Sequence, residues 1–78
     1  MTIGHIRWAE HRGMLRMFEG TGAYVGYVVA DPRYTGTYIH RCAVWDAAGF
    51  HWVPVSADDD ADAETCMRLV EAVYALEN

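Results

Sequence analysis

Seventy-eight residues make one domain and little more, since chains of this size bury only roughly 60% of the surface they expose when unfolded. With 53% apolar and 22% charged residues a packed core is within reach and the composition argues against disorder. No apolar run approaches the ~20 residues of a bilayer-spanning helix, and a net charge of −5 speaks against non-specific binding to DNA.

That charge is unevenly spread. Residues 1–45 hold Arg7, Arg12, Arg16, Arg33 and Arg41 against Glu10, Glu19 and Asp31. Residues 46–78 hold Asp46, Asp58, Asp59, Asp60, Asp62, Glu64, Glu71 and Glu77 against Arg68 alone. Lysine is absent. Cys42 and Cys66 do not make a disulfide framework. The segment Met1-Thr2-Ile3-Gly4-His5 has neither the basic start nor the apolar stretch of a signal peptide. The expected compartment is therefore the cytoplasm, of a host cell if a phage encodes the chain, with reduced thiols. Small domains without staples gain stability by association, so a homodimer is among the expected states.

The first elements read as strands. Ile3 to Ala9 alternates, with Ile6 and Trp8 on one face and His5 and Arg7 on the other. His11-Arg12-Gly13 is a turn signal, and Met14 to Glu19 completes a hairpin. After Gly20-Thr21-Gly22, the run Ala23-Tyr24-Val25-Gly26-Tyr27-Val28-Val29-Ala30 carries the strongest strand signal in the chain. Asp31-Pro32-Arg33 and Gly36 mark a loop, and Thr37 to Trp45 is a fourth strand. Asp46-Ala47-Ala48-Gly49 turns the chain into a short strand, Phe50 to Val53. Pro54, which cannot donate to a ladder, ends it or sits at an edge.

The last third changes to helical period, from about Asp60 to Leu76. Cys66, Leu69, Val70 and Val73, with Ala63 and Leu76, form an apolar stripe. One helix cannot bury such a stripe alone and must lie on a sheet. The expected fold is thus α+β: a single domain of four to five short antiparallel strands, over about residues 3–55, closed by a C-terminal helix at about 60–76. Period two then assigns Ile6, Trp8, Leu15, Met17, Val28, Cys42 and Val44 to the helix side. Arg7, Arg16, Phe18, Tyr27, Arg41 and Trp45 fall on the open side.

Catalytic and metal signals are weak. His40-x-Cys42 places two ligand types on one strand face, with His5, His51 and Cys66 elsewhere. Zinc-type Cys-x2–4-Cys spacing is missing, and no metal and no other cofactor is expected. A cysteine–histidine dyad would need the fold to bring its members together, and Cys66 lies on the core stripe, where thiols are inert. Gly20-Thr-Gly22-Ala-Tyr-Val-Gly26 misses the dinucleotide pattern by one residue. The chain is expected not to be an enzyme, because a domain this small has little room for a deep pocket.

Two features point to binding instead. Asp58, Asp59, Asp60, Asp62 and Glu64 cluster before the helix. One or two acids suffice to cap a helix and oppose its dipole, whereas a dense cluster also suits a basic groove on a partner. On the open sheet face, Arg7, Arg16 and Arg41 interleave with Phe18, Tyr27 and Trp45. That mixture suits stacking on single-stranded nucleic acid and equally suits a protein interface, where Trp, Tyr and Arg act as anchors. It also suits a dimer seam. The overall negative charge ranks a protein partner above nucleic acid.

Trp8, Tyr24-Val25-Gly26-Tyr27-Val28, Gly36-Thr37-Tyr38, Trp45, Gly49 and Asp60-Ala61-Asp62-Ala63-Glu64 with Val70-Glu71 span most of the chain. In this arrangement the sequence resembles the small sheet-plus-helix accessory proteins of phages and mobile elements, among them anti-CRISPR inhibitors. The resemblance implies a small, acidic, non-enzymatic protein that occupies a surface on a host protein complex, with a CRISPR–Cas effector as the specific instance. No membrane association is expected. A nucleic-acid-binding module using the Arg/aromatic face is the alternative.

Overall fold

A computed structural model describes residues 5–20, 22–33, 36–46, 49–57 and 61–77, with the side chains of 42–46 and 50 outside the description. Five strands, β1 (Ile6–His11), β2 (Met14–Glu19), β3 (Ala23–Ala30), β4 (Tyr38–Asp46) and β5 (Gly49–Pro54), precede one helix, α1 (Ala63–Glu77). The strands form a single antiparallel sheet in the order β1-β2-β3-β4-β5. Every neighbour in the sheet is a neighbour in sequence, so short turns suffice for all four connections. The expected α+β architecture is the one observed.

The β1–β2 turn is narrower than the three-residue signal implied. β1 runs to His11, and Arg12-Gly13 alone reverses the chain, with φ of 53° and 80°. Positive φ at both central residues matches the twist of the flanking strands. Glu10 accepts a hydrogen bond from the Gly13 amide at 3.2 Å. Pro54 is the last residue of β5, an edge strand, where its missing N–H costs no ladder bond.

α1 lies over β3 and β4. Met17, Val25, Val28, Val55, Cys66, Val70 and Tyr74 form the buried core. Two expectations about the helix need correction. It begins at Ala63 rather than near Asp60, because Asp62 is the cap: its carboxylate accepts from the Thr65 amide at 2.8 Å. Its buried line is Cys66, Val70 and Tyr74, not one that reaches Leu76, which is 84% exposed. At about 100° per residue Leu76 lies roughly 120° round the helix from Val70, beyond the reach of the sheet.

Polar clamps at the rim hold helix to sheet. The Trp8 indole N–H donates to Glu71 at 2.6 Å, and Arg68 donates to the same carboxylate oxygen at 2.7 Å. The Tyr74 hydroxyl donates to Glu19. Between these clamps Gly26 lets the layers meet closely. A Cβ there would stand 2.8 Å from Val70 Cγ1 and 3.0 Å from Met17 Cε.

Candidate functional site

The side of the sheet away from α1 is the candidate surface, and register builds it strand by strand. Trp8 pairs with Met17, and Met17 with Gly26, on the helix side. Arg7 therefore shares the other face with its partner Phe18, and Ala9 with Arg16. Arg16 faces Tyr27, Tyr27 faces Arg41, and Arg41 faces Pro54. One row, Ala9-Arg16-Tyr27-Arg41-Pro54, thus crosses all five strands, since opposed residues in a ladder point the same way.

A bulge sets the second row. The β2–β3 register shifts between Met17 and Phe18, so that Met17 faces Gly26 while Phe18 faces Tyr24. Val25 is the extra residue, and it is fully buried in the core. Val25 and Gly26 both turn towards the helix, which is how a bulge interrupts strict alternation. Tyr24 and Tyr27, three apart in sequence, then share the open face. Period two alone would have put Tyr24 under the helix.

The rings on this face form a connected ladder. Phe18 and Tyr24 lie 5.8 Å apart between centroids. From β5, Trp52 reaches across β4 to Tyr24 at 5.2 Å and Tyr27 at 5.3 Å. These are the tilted and edge-on contacts that aromatic quadrupoles favour. Two guanidinium groups stack on the ladder: Arg7 over Phe18 at 5.1 Å and Arg16 over Tyr24 at 5.5 Å. Arg41 is held by a 2.9 Å bond from its Nη1 to the His40 carbonyl. Tyr24 is at the surface, 36% exposed, and burial of its hydroxyl end nonetheless holds its pKa above the ordinary value despite nearby Arg16.

Charge divides between the two faces. Arg33 is paired with Asp31 at 3.1 Å in the loop after β3, and Arg68 with Glu71 at 2.7 Å on α1. Among the described residues no carboxylate pairs with Arg7, Arg16 or Arg41. Glu10 and Glu19 take helix-side positions in the register, opposite Leu15 and Ile6. Asp62, Glu64, Glu71 and Glu77 belong to the helix and its cap. Among the described residues, the charged side chains that the register places on the open sheet face are therefore arginines.

The expected site residues fare differently. Arg7, Arg16, Phe18, Tyr27 and Arg41 stand together on the open face, as expected. Trp45 occupies an open-side register position opposite Phe50, and its side chain lies outside the described residues. Asp58, Asp59 and Asp60 also lie outside them. Asp62 is committed to the helix cap, and the Thr65 bonds hold its carboxyl below the usual range. Glu64 is exposed in the first turn of α1. Tyr24 and Trp52 were missed by sequence reasoning. The position of Trp52 in the last strand was a usable signal; that of Tyr24 was not, because the bulge reverses it.

Catalytic candidates gain little support. Cys66 is buried, and its surroundings, with Asp62 close by, raise its pKa and keep it a thiol. His40 is held below the usual imidazole value by burial, and its Nδ1 is enclosed without a partner. Among the described residues no three or more histidine, cysteine or acidic groups converge as metal ligands. No helix among them is long and apolar enough to cross a membrane.

The fold and this face define a five-stranded meander closed by one helix, with an arginine-stacked aromatic ladder on the side of the sheet away from that helix. Comparison with protein-family models, curated proteins and solved structures finds no match.

Proposed function

We propose that this protein is a non-catalytic binding module that acts by docking its open sheet face on a partner macromolecule. One observation carries the reading: the four-ring ladder Phe18–Tyr24–Trp52–Tyr27 lies on the side of the sheet away from α1, with Tyr24 exposed and the other three rings half-buried, and bears two stacked arginines. Rings locked by one another lose little entropy on binding, and Trp, Tyr and Arg are the side chains that anchor interfaces. The biological role implied by the resemblance is inhibition of a host protein complex, with a CRISPR–Cas effector as the specific instance. The acidic run is a weaker support for that role, since Asp62 already serves the helix.

A second reading, a nucleic-acid-binding module, is favoured by Arg7, Arg16 and Arg41, which have no carboxylate partner among the described residues. Overall charge ranked it lower, but a ligand at the sheet meets the local field and not the sum over the chain.

The test is capture of the host complex by the tagged protein beside an Arg16→Glu/Trp52→Ala variant, with CRISPR interference scored in the same cells. The wild type should retain the complex and depress interference, and the variant, folded by its melting profile, should do neither. Equal retention by both refutes the face as the docking surface. Interference untouched by the wild type refutes the anti-CRISPR role.

A further inference from the structure

We infer that the ligand of the open face is an unpaired nucleic-acid strand. This rests on the reading above that the open face is the docking surface, and it names the ligand class.

Charge complementarity decides the class. Among the described residues, Arg7, Arg16 and Arg41 have no carboxylate partner and share a face on which no described strand position is acidic, on a chain of net charge −5. Uncompensated cations on an acidic protein call for an anionic ligand from outside. Arg7 and Arg16 lie with a flat side on a ring; Arg7 is exposed and offers its N–H edge to phosphate oxygens, whereas the Arg16 Nε is buried and leaves only its Nη groups for them.

The rings decide between paired and unpaired strands. Tyr24 and Tyr27 flank Trp52; Tyr24 is exposed and Tyr27 and Trp52 half-buried, and the surface they leave open offers stacking only to bases that are free of a duplex. The row Arg16-Tyr27-Arg41 alternates cation and ring across adjacent strands. Four strand gaps of about 4.8 Å make the face roughly 19 Å wide. Among the described residues no helix or ribbon projects from this face of the sheet to read a duplex groove.

Fluorescence anisotropy with labelled oligo(dT) and oligo(U) of about 15 nucleotides, and with a duplex of equal length, tests the inference. Both single strands should bind more tightly than the duplex, and the ratio of the two tells a DNA ligand from an RNA one. Three phosphate contacts at a slope of about −0.7 each predict roughly 20-fold weaker binding between about 50 and about 200 mM salt. Arg16→Gln should reduce that slope by about 0.7. Trp52→Leu, which keeps apolar bulk, should weaken binding roughly tenfold with the slope unchanged.

Absence of single-strand binding overturns the inference, as does equal or tighter binding of the duplex. In the first case the capture experiment separates the two readings. If the Arg16→Glu/Trp52→Ala variant loses a host complex that the wild type retains, the face stands and its partner is a protein. If neither protein binds anything, both readings fall.

Discussion

Replacing Gly26 by alanine adds one methyl group where the helix and sheet approach most closely. The new Cβ would lie 2.8 Å from Val70 Cγ1, 3.0 Å from Met17 Cε and 3.3 Å from Met17 Cβ. Met17 and Val70 are both fully buried, and the β-branched Val70 has little rotamer freedom in a helix. Overpacking of this kind costs about 1–3 kcal/mol. In a domain of this size about 2 kcal/mol lowers the thermal midpoint by roughly 8–16 °C. The opposing effect has the other sign: alanine in place of glycine stiffens the unfolded chain and would stabilise by about 0.4–1 kcal/mol if it fitted. Thermal melts followed by circular dichroism therefore read the contact from the direction of the shift. Val70→Ala alone should cost about 2 kcal/mol by leaving a cavity. Added to that variant, Gly26→Ala should be neutral or stabilising, because the new methyl enters the vacated space. A midpoint that rises with Gly26→Ala in the wild-type background would refute the close approach of α1 to β3.

Trp8→Phe removes the indole donor to Glu71 and should cost about 1–2 kcal/mol in urea unfolding, whereas Arg68→Ala, at an exposed ion pair, should barely move the midpoint. His40→Leu should flatten the pH dependence of stability. Because burial lowers its pKa when folded, the unfolded chain takes up the proton first. Stability present above about pH 6.5 is then lost as pH falls through the window beneath it. Urea midpoints above and below that window check the point, and an undiminished pH dependence in the variant would contradict it. Arg12→Asn should raise the thermal midpoint, since asparagine recovers part of the roughly 1 kcal/mol that a left-handed conformation costs a longer side chain. A lower midpoint would mean that Arg12 makes a contact the turn needs.

The order and type of the elements were legible in the sequence because both are written in local pattern. Alternation in β1 and β2 placed Trp8 and Met17 inwards and Arg7, Arg16 and Phe18 outwards, and the change to helical period announced α1. Such periods follow from the geometry of a single backbone and need no knowledge of its neighbours. The helix was phased in part. Cys66 and Val70 are buried and Leu69 and Val73 pack against the core, as the stripe implied, but Tyr74 is buried and Leu76 is exposed. The Tyr74 hydroxyl has its partner in the distant Glu19 carboxylate, which no helical period reveals.

The sequence by itself determined the short antiparallel strands, the closing helix and the outward arginines of the first hairpin. Only the tertiary structure decided that Val25 bulges, and with it that Tyr24 joins Tyr27 instead of lying beneath α1. It also decided that Trp52 spans a strand to meet both rings, and that the described charges on the open face are arginines. The reason is that a bulge is a property of two paired strands, a ring contact is one of distance in space, and a local charge depends on which residues share a face. None of these is a property of a run of residues along the chain.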